Sequence, residues 1–137
     1  MNRFLDILKR TSLLLCFLCC HLSAAEPPKL SGISSRIIDE DTSTGVISFG
    51  VFPTSGIVVS GSSSNTNLVP NANISITFEA SSWFLQATPA ANQYGTAVIT
   101  LRAQDSNANV GATSFALTVN PVDDPVSIRL VNPTGGQ

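Results

Sequence analysis

The sequence predicts an all-β sandwich, and three observations predict it. Apolar residues recur at every second position in three segments, with mostly polar residues between them: Ile74, Ile76, Phe78; Ala97, Ile99, Leu101, Ala103; and Phe115, Leu117, Val119. A period of two buries one face of a strand and leaves the other wet. Clusters of Gly, Asn, Pro and Ser punctuate the chain beyond Leu30, and no stretch keeps a helical period.

Taken in order, the β-branched and aromatic runs at 33–38, 46–52, 57–60, 74–78, 83–87, 97–103 and 115–119 give about seven strands, the number an immunoglobulin-like sandwich needs. Turn chemistry separates them at 53–56, 61–67, 70–73, 89–95 and 105–111. Pro27-Pro28 opens the domain like a linker and Asn120-Pro121-Val122-Asp123-Asp124-Pro125 closes it, because proline cannot donate in a central strand. The domain is placed at 29–125. Val126, Ile128 and Leu130 alternate once more in the stretch 126–137, as a linker or the start of a second repeat, or as a short strand on an edge of its own domain.

The amino-terminal stretch carries a different signal. Arg3, Lys9 and Arg10 precede an apolar run from Leu13 to Cys20, and Ser23-Ala24-Ala25 supplies the small residues a signal peptidase needs. Residues 1–25 are read as a signal peptide and Glu26 as the first residue of the secreted chain. The run is shorter than the roughly 20 apolar residues that span a bilayer, so no membrane insertion is expected after cleavage. Lipid attachment fits poorly, since Cys16 and Cys19 follow leucine and Cys20 follows Cys19 where a small residue is needed.

Cys16, Cys19, Cys20 and His21, all the thiols and the lone imidazole of the chain, lie in that leader. Beyond it there is no disulfide framework, no Cys/His zinc site, no cysteine nucleophile and no Ser-His-Asp relay. The chain is expected not to be an enzyme. Lys29, Arg36, Arg102 and Arg129 stand against Glu26, Asp39, Glu40, Asp41, Glu79, Asp105, Asp123 and Asp124. An acidic surface of this kind repels phosphate backbones, which argues against nucleic acid as a partner.

Three ordered stretches carry a family resemblance. Ile38-Asp39-Glu40-Asp41-Thr42-Ser43-Thr44-Gly45, then Ser64-Asn65-Thr66-Asn67-Leu68-Val69-Pro70-Asn71-Ala72-Asn73-Ile74, then Thr88-Pro89-Ala90-Ala91-Asn92-Gln93-Tyr94-Gly95-Thr96-Ala97 resemble segments of the bacterial cadherin-like tandem repeat. Leu117-Thr118-Val119-Asn120-Pro121-Val122-Asp123-Asp124-Pro125 is similar to that repeat's closing linker, so the resemblance covers about residues 31–125. It implies an immunoglobulin/cadherin-like sandwich strung in arrays on secreted or cell-surface proteins. Each repeat in such an array supplies its own core, and short junctions set the geometry between neighbours.

Calcium takes six to eight hard oxygens, mainly carboxylates and backbone carbonyls. The resemblance implies that Glu40, Asp41, Asp105, Asp123 and Asp124 approach one another where the next repeat docks, as a partial junction calcium site. The middle loops add no acidic motif, and the linker carries Pro121. The competing structural reading makes Asp39 and Asp41 solvated turn residues and has Asp105 cap its own Asp105-Ser106-Asn107 turn. Glu79 ends an alternating strand beside Ala80-Ser81-Ser82, which suits a solvent-facing strand end better than a glycosidase acid. Trp83, Phe84 and Tyr94 could form a sugar-binding platform, but a core without a cysteine staple needs its large apolar groups inside. The Asn73-Ile74-Ser75 sequon matters only in a host with an endoplasmic reticulum.

The function expected is an extracellular adhesion or spacer module, possible partners being neighbouring repeats, cell-surface proteins or glycans. The alternatives are an accessory amino-terminal domain of a longer secreted enzyme and a small carbohydrate-binding module.

Overall fold

A computed structural model describes residues 26–123. Residues 1–25, expected to be a signal peptide, and the stretch 124–137, with Asp124 and the alternating Val126, Ile128 and Leu130, lie outside the described residues.

Among the described residues nine strands run in chain order: β1 (Lys29–Leu30), β2 (Arg36–Asp39), β3 (Ile47–Phe49), β4 (Val51–Phe52), β5 (Val58–Ser63), β6 (Ile74–Glu79), β7 (Ser82–Ala87), β8 (Gly95–Gln104) and β9 (Val110–Asn120). The only helical turn among the described residues is a short 3-10 segment at Asn71–Asn73. One sheet has the order β2-β9-β8-β5, the other β3-β7-β6, and β1 pairs with β4 in a two-stranded ladder. Gly50 alone separates β3 from β4.

The alternation read in the sequence sets the core. In β8, Ala97, Ile99, Leu101 and Ala103 are buried while Thr96, Val98, Arg102 and Gln104 face solvent. In β9, Phe115, Leu117 and Val119 are buried in the same rhythm. The register sets Leu117 opposite Ala97 and Phe115 opposite Ile99, so the two inward rows pack side by side. Ile47, Phe49, Leu85 and Ala87 close the core from the second sheet. Trp83 is half-buried against this core, between Phe49 at a ring-centroid distance of 6.3 Å and Phe78 at 4.9 Å. Leu68 and Val69 plug the side of the sandwich from a loop, which is fastened by Val69 N–H donating to the Asn65 carbonyl at 2.9 Å.

Differences from the expected strands have physical causes. The run at 33–38 is strand only from Arg36 onward, because the chain leaves β4 after Leu30 and joins β9 at Arg36. Ile33 sits at that crossover, packed on the core. Ser31 fastens its start, accepting from Gly50 N–H at 2.8 Å through Oγ and donating to the Gly50 carbonyl at 2.9 Å. Gly61, Ser62 and Ser63, read as a turn, instead extend β5 along β8, since a ladder of backbone pairs overrides weak local propensity.

β2 runs parallel to β9, with Arg36 opposite Leu117 and Asp39 opposite Asn120. Pro28 lies against Gly111 near the start of β9, and Glu40 N–H donates to the Asn120 carbonyl at its end, 2.9 Å away. The described chain therefore enters at one pole and leaves at the other. β9 has 11 residues, and at about 3.4 Å per step its ends stand about 34 Å apart.

Candidate functional site

At the carboxy-terminal pole, β2 delivers Asp39 and Glu40, a tight turn presents Asp41, and β9 leads into Pro121, Val122 and Asp123. Glu40 is the buried charged side chain of the described residues, 7% exposed. Its Oε1 accepts a 2.7 Å hydrogen bond from Val122 N–H. Backbone and side chain of Glu40 thus grip both ends of the Asn120-Pro121-Val122 segment, which fixes the direction in which the chain leaves the domain. The buried position follows from the strand pairing: continuing β2 past Asp39 puts residue 40 alongside the end of β9.

Asp41 has φ 60° and accepts from Asn92 N–H at 3.0 Å through Oδ1, joining its turn to the loop before β8. Asp39 lies near the same strand end, where Asn120 Nδ2 donates to its Oδ1 at 3.4 Å and Thr42 Oγ1 donates to its carbonyl at 2.6 Å.

Asp105 sits at the opposite pole. It opens the β8–β9 turn, so the length of the hairpin separates it from Glu40. Its Oδ1 accepts from Asn107 N–H at 2.8 Å and Asn109 N–H at 2.9 Å, and its Oδ2 accepts from Asn109 Nδ2 at 2.9 Å. These bonds favour the ionised form and hold its pKa below the usual carboxylate value, the Asn109 side chain contributing most, against a smaller opposing effect of desolvation. The local turn-capping reading of Asp105 matches this geometry.

The expected approach of Glu40, Asp105 and the linker acids within one domain is therefore corrected by the topology. Glu40, Asp41 and Asp123 share a pole, Asp105 occupies the other, and Asp124 lies outside the described residues. Among the described residues no three His, Cys, Asp or Glu side chains come close enough to hold a metal ion together. Glu40, Asp41 and Asp105 each already have an oxygen engaged by backbone N–H groups. This donor set does not fit a calcium cage inside one domain.

The aromatic side chains are also divided. Trp83 stands beside Phe49 near the β1–β4 ladder, whereas Tyr94, 64% exposed, precedes the Gly95–Val119 pair at the other pole. They form no shared platform. The Trp83 Nε1 atom is buried with no hydrogen-bond partner, although most of the surrounding ring contact is apolar.

The Glu40 grip was not legible in the sequence, where Glu40 reads as one acid of three. Replacing Glu40 with alanine is expected to destabilise the domain by about 1–3 kcal/mol, because it removes a buried, charged acceptor together with its bond to Val122 N–H. Glu40→Gln retains an acceptor and should recover most of that loss. Urea denaturation, with amide exchange at Val122, reads both.

The Asp105 turn predicts a pH effect. Its folded pKa is depressed, so the unfolded state binds the proton more readily. The stabilisation is present above the unfolded carboxylate pKa, roughly 3.9, and is lost as pH falls through the lower folded value. Asp105→Asn should flatten that acid limb in a series of melting temperatures.

No protein-family model matches the chain, and no curated protein sequence matches it. Solved structures do. Titin domain M3 is similar over 69% of this chain and 97% of its own length, with 16% identity and a TM-score of 0.51. A mutant form of the titin M10–obscurin-like 1 immunoglobulin complex is similar over 72% of this chain and 98% of that chain, with 18% identity and a TM-score of 0.52. Titin Z1Z2 in complex with telethonin matches 71% of this chain and 49% of that chain, with 13% identity and a TM-score of 0.52. At these identities the likeness is one of fold, and the fold of this chain is the immunoglobulin-like β-sandwich.

Proposed function

We propose that this chain is a non-enzymatic structural module, secreted and set on a cell surface, that spaces or joins neighbouring domains end to end and meets protein partners. The observation that carries the reading is the placement of the first and last described residues at opposite poles, with Glu40 gripping the segment that leaves β9. A load or a neighbour attached at either end acts along β9, the longest strand of the sheet, rather than prying at one edge. The titin structures similar in fold include complexes with telethonin and with an obscurin-like 1 domain, which supports a role in protein interaction for such a sandwich. The lack of thiol and imidazole beyond the leader supports a role without catalysis.

Within this reading, calcium belongs between domains. The carboxy-terminal pole of one domain would offer Asp41 and Asp123, with Asp124 beyond, and the amino-terminal pole of the next would offer Asp105. The cadherin-like resemblance of residues 31–125 motivates that arrangement.

Small-angle scattering from a head-to-tail fusion of two copies of the full chain tests the proposal. An elongated particle, close to twice the length of one copy, is expected, and added millimolar calcium should narrow its distribution of lengths. A compact particle with the copies folded side by side overturns the spacer reading. Unchanged scattering and unchanged melting with calcium and with chelator remove the ion and leave the spacer.

A further inference from the structure

The free edge of β5 is built differently from the other edges of the sandwich. β2 carries Arg36 and Asp39, β6 ends in Glu79, β1 contains Lys29, and β3 is three residues long. β5, Val58-Val59-Ser60-Gly61-Ser62-Ser63, has six residues, no charge and no proline. Charges and prolines are the usual protection of an exposed strand edge against pairing.

The direction of its backbone groups follows from the antiparallel ladder. Ser64 N–H donates to the Val98 carbonyl at 3.0 Å, continuing the Ser63–Ile99 register. Even-numbered residues of β5 therefore address β8, and odd-numbered ones address the open side. Ser63 confirms the alternation, because its N–H turns away from β8 to Asn71 Oδ1 at 2.8 Å. Val59 and Gly61 are left with N–H and C=O groups facing outward, and no other element among the described residues bonds to them.

We infer that β5 is a self-association edge, and that its occupant is the β5 strand of a second copy of this chain. The open groups are self-complementary. A two-fold axis at Ser60 sets Val59 of one copy opposite Gly61 of the other in an antiparallel pair, and all the outward groups of both residues find partners. Ser60 then meets its own counterpart in the non-hydrogen-bonded position, where side chains lie closest. Charge also favours this edge. The chain is acidic overall and two copies repel across most approaches, yet β5 holds no charge, and the nearest one on the flanking strand is Arg102, paired with Ser60. The two Arg102 residues would stand three strand spacings apart, about 14 Å, beyond the Debye length at physiological salt. The product is a continuous eight-stranded sheet, formed whether or not the poles chain end to end.

Sedimentation of the full chain over a concentration series tests the inference, together with two substitutions at an exposed position. Ser60→Lys places two ammonium groups face to face across the axis and should weaken dimerisation by about tenfold or more, with an unchanged melting temperature at dilute, monomeric concentration. Ser60→Cys, in a chain whose Cys16, Cys19 and Cys20 are replaced by serine, should form a disulfide-linked dimer under mild oxidation. Ser75→Cys, equally exposed on β6, should remain uncrosslinked. A chain monomeric throughout the series, a dimer indifferent to Ser60→Lys, or equal crosslinking from both cysteine positions overturns it.

Discussion

Leu117→Ala is expected to lower the unfolding free energy by about 2–5 kcal/mol, the range found when a large apolar side chain is removed from a packed interior. Leu117 is completely buried toward the open end of the hairpin, opposite Ala97 on one side and Arg36 on the other. Alanine already occupies two of the four inward positions of β8, so the neighbours opposite are too short to fill the space. No disulfide ties the described residues together, since every cysteine lies before residue 26. The core must therefore supply most of a stability that for domains of this kind totals about 5–15 kcal/mol. Urea denaturation should show a lower midpoint with an unchanged slope. Ser114→Ala, exposed on the same strand, should stay within about 0.5 kcal/mol of the parent. A Leu117→Ala loss below about 1 kcal/mol would show that the site collapses around the deletion.

Gly111→Ala carries the second large effect, and for a different reason. A methyl group at residue 111 would overlap the carbonyl oxygen of Pro28, stand 2.8 Å from its carbon and press on Leu30 Cδ1 at 3.3 Å. The obstacle is backbone, which cannot rotate away as a side chain can. The expected loss is about 1–3 kcal/mol or more, as in other overpacked interiors, with β1 displaced from β4. Faster amide exchange or proteolysis near Lys29 would locate the displacement. Gly50 is the appropriate comparison: its methyl would meet Ser31 at 3.7 Å, ordinary van der Waals contact, so Gly50→Ala should change stability by less than about 1 kcal/mol. Equal losses at the two glycines would mean that the amino-terminal strand contributes little to the fold.

Both substitutions bear on how the two ends of the described residues are held. Leu117 anchors β9, the strand that runs from pole to pole, and Gly111 lets the incoming segment lie against its start.

The acidic residues show where reading by position alone loses information. Asp39, Glu40 and Asp41 are adjacent in sequence yet diverge in role: Asp39 accepts across the end of the β2–β9 pair, Glu40 is buried under Val122, and Asp41 braces the loop at Asn92. Nothing in the three-residue run distinguishes them. The distinction arises from the parallel pairing of β2 with β9, a contact between residues about 80 positions apart. Asp105 is the opposite case. Its turn closes within the stretch Asp105 to Asn109, and local chemistry was sufficient to anticipate it.

By itself the sequence determined the all-β class, the inward faces of β8 and β9 and the exclusion of thiol and imidazole chemistry beyond residue 25, and it offered the self-contained Asp105 turn as one of two readings; in β6 the alternating Phe78 is 47% exposed. These are short-range properties, because a period of two and an Asx turn are fixed by residues within a few positions of one another. Only the tertiary structure decided that β1 and β2 join different sheets, that Asp105 and Glu40 stand at opposite ends of the β8–β9 hairpin, that Glu40 is gripped to the segment leaving β9, and that β5 keeps an open, uncharged edge. Those features depend on which distant strands become neighbours, and that choice is made by the burial of the whole core rather than by any one segment.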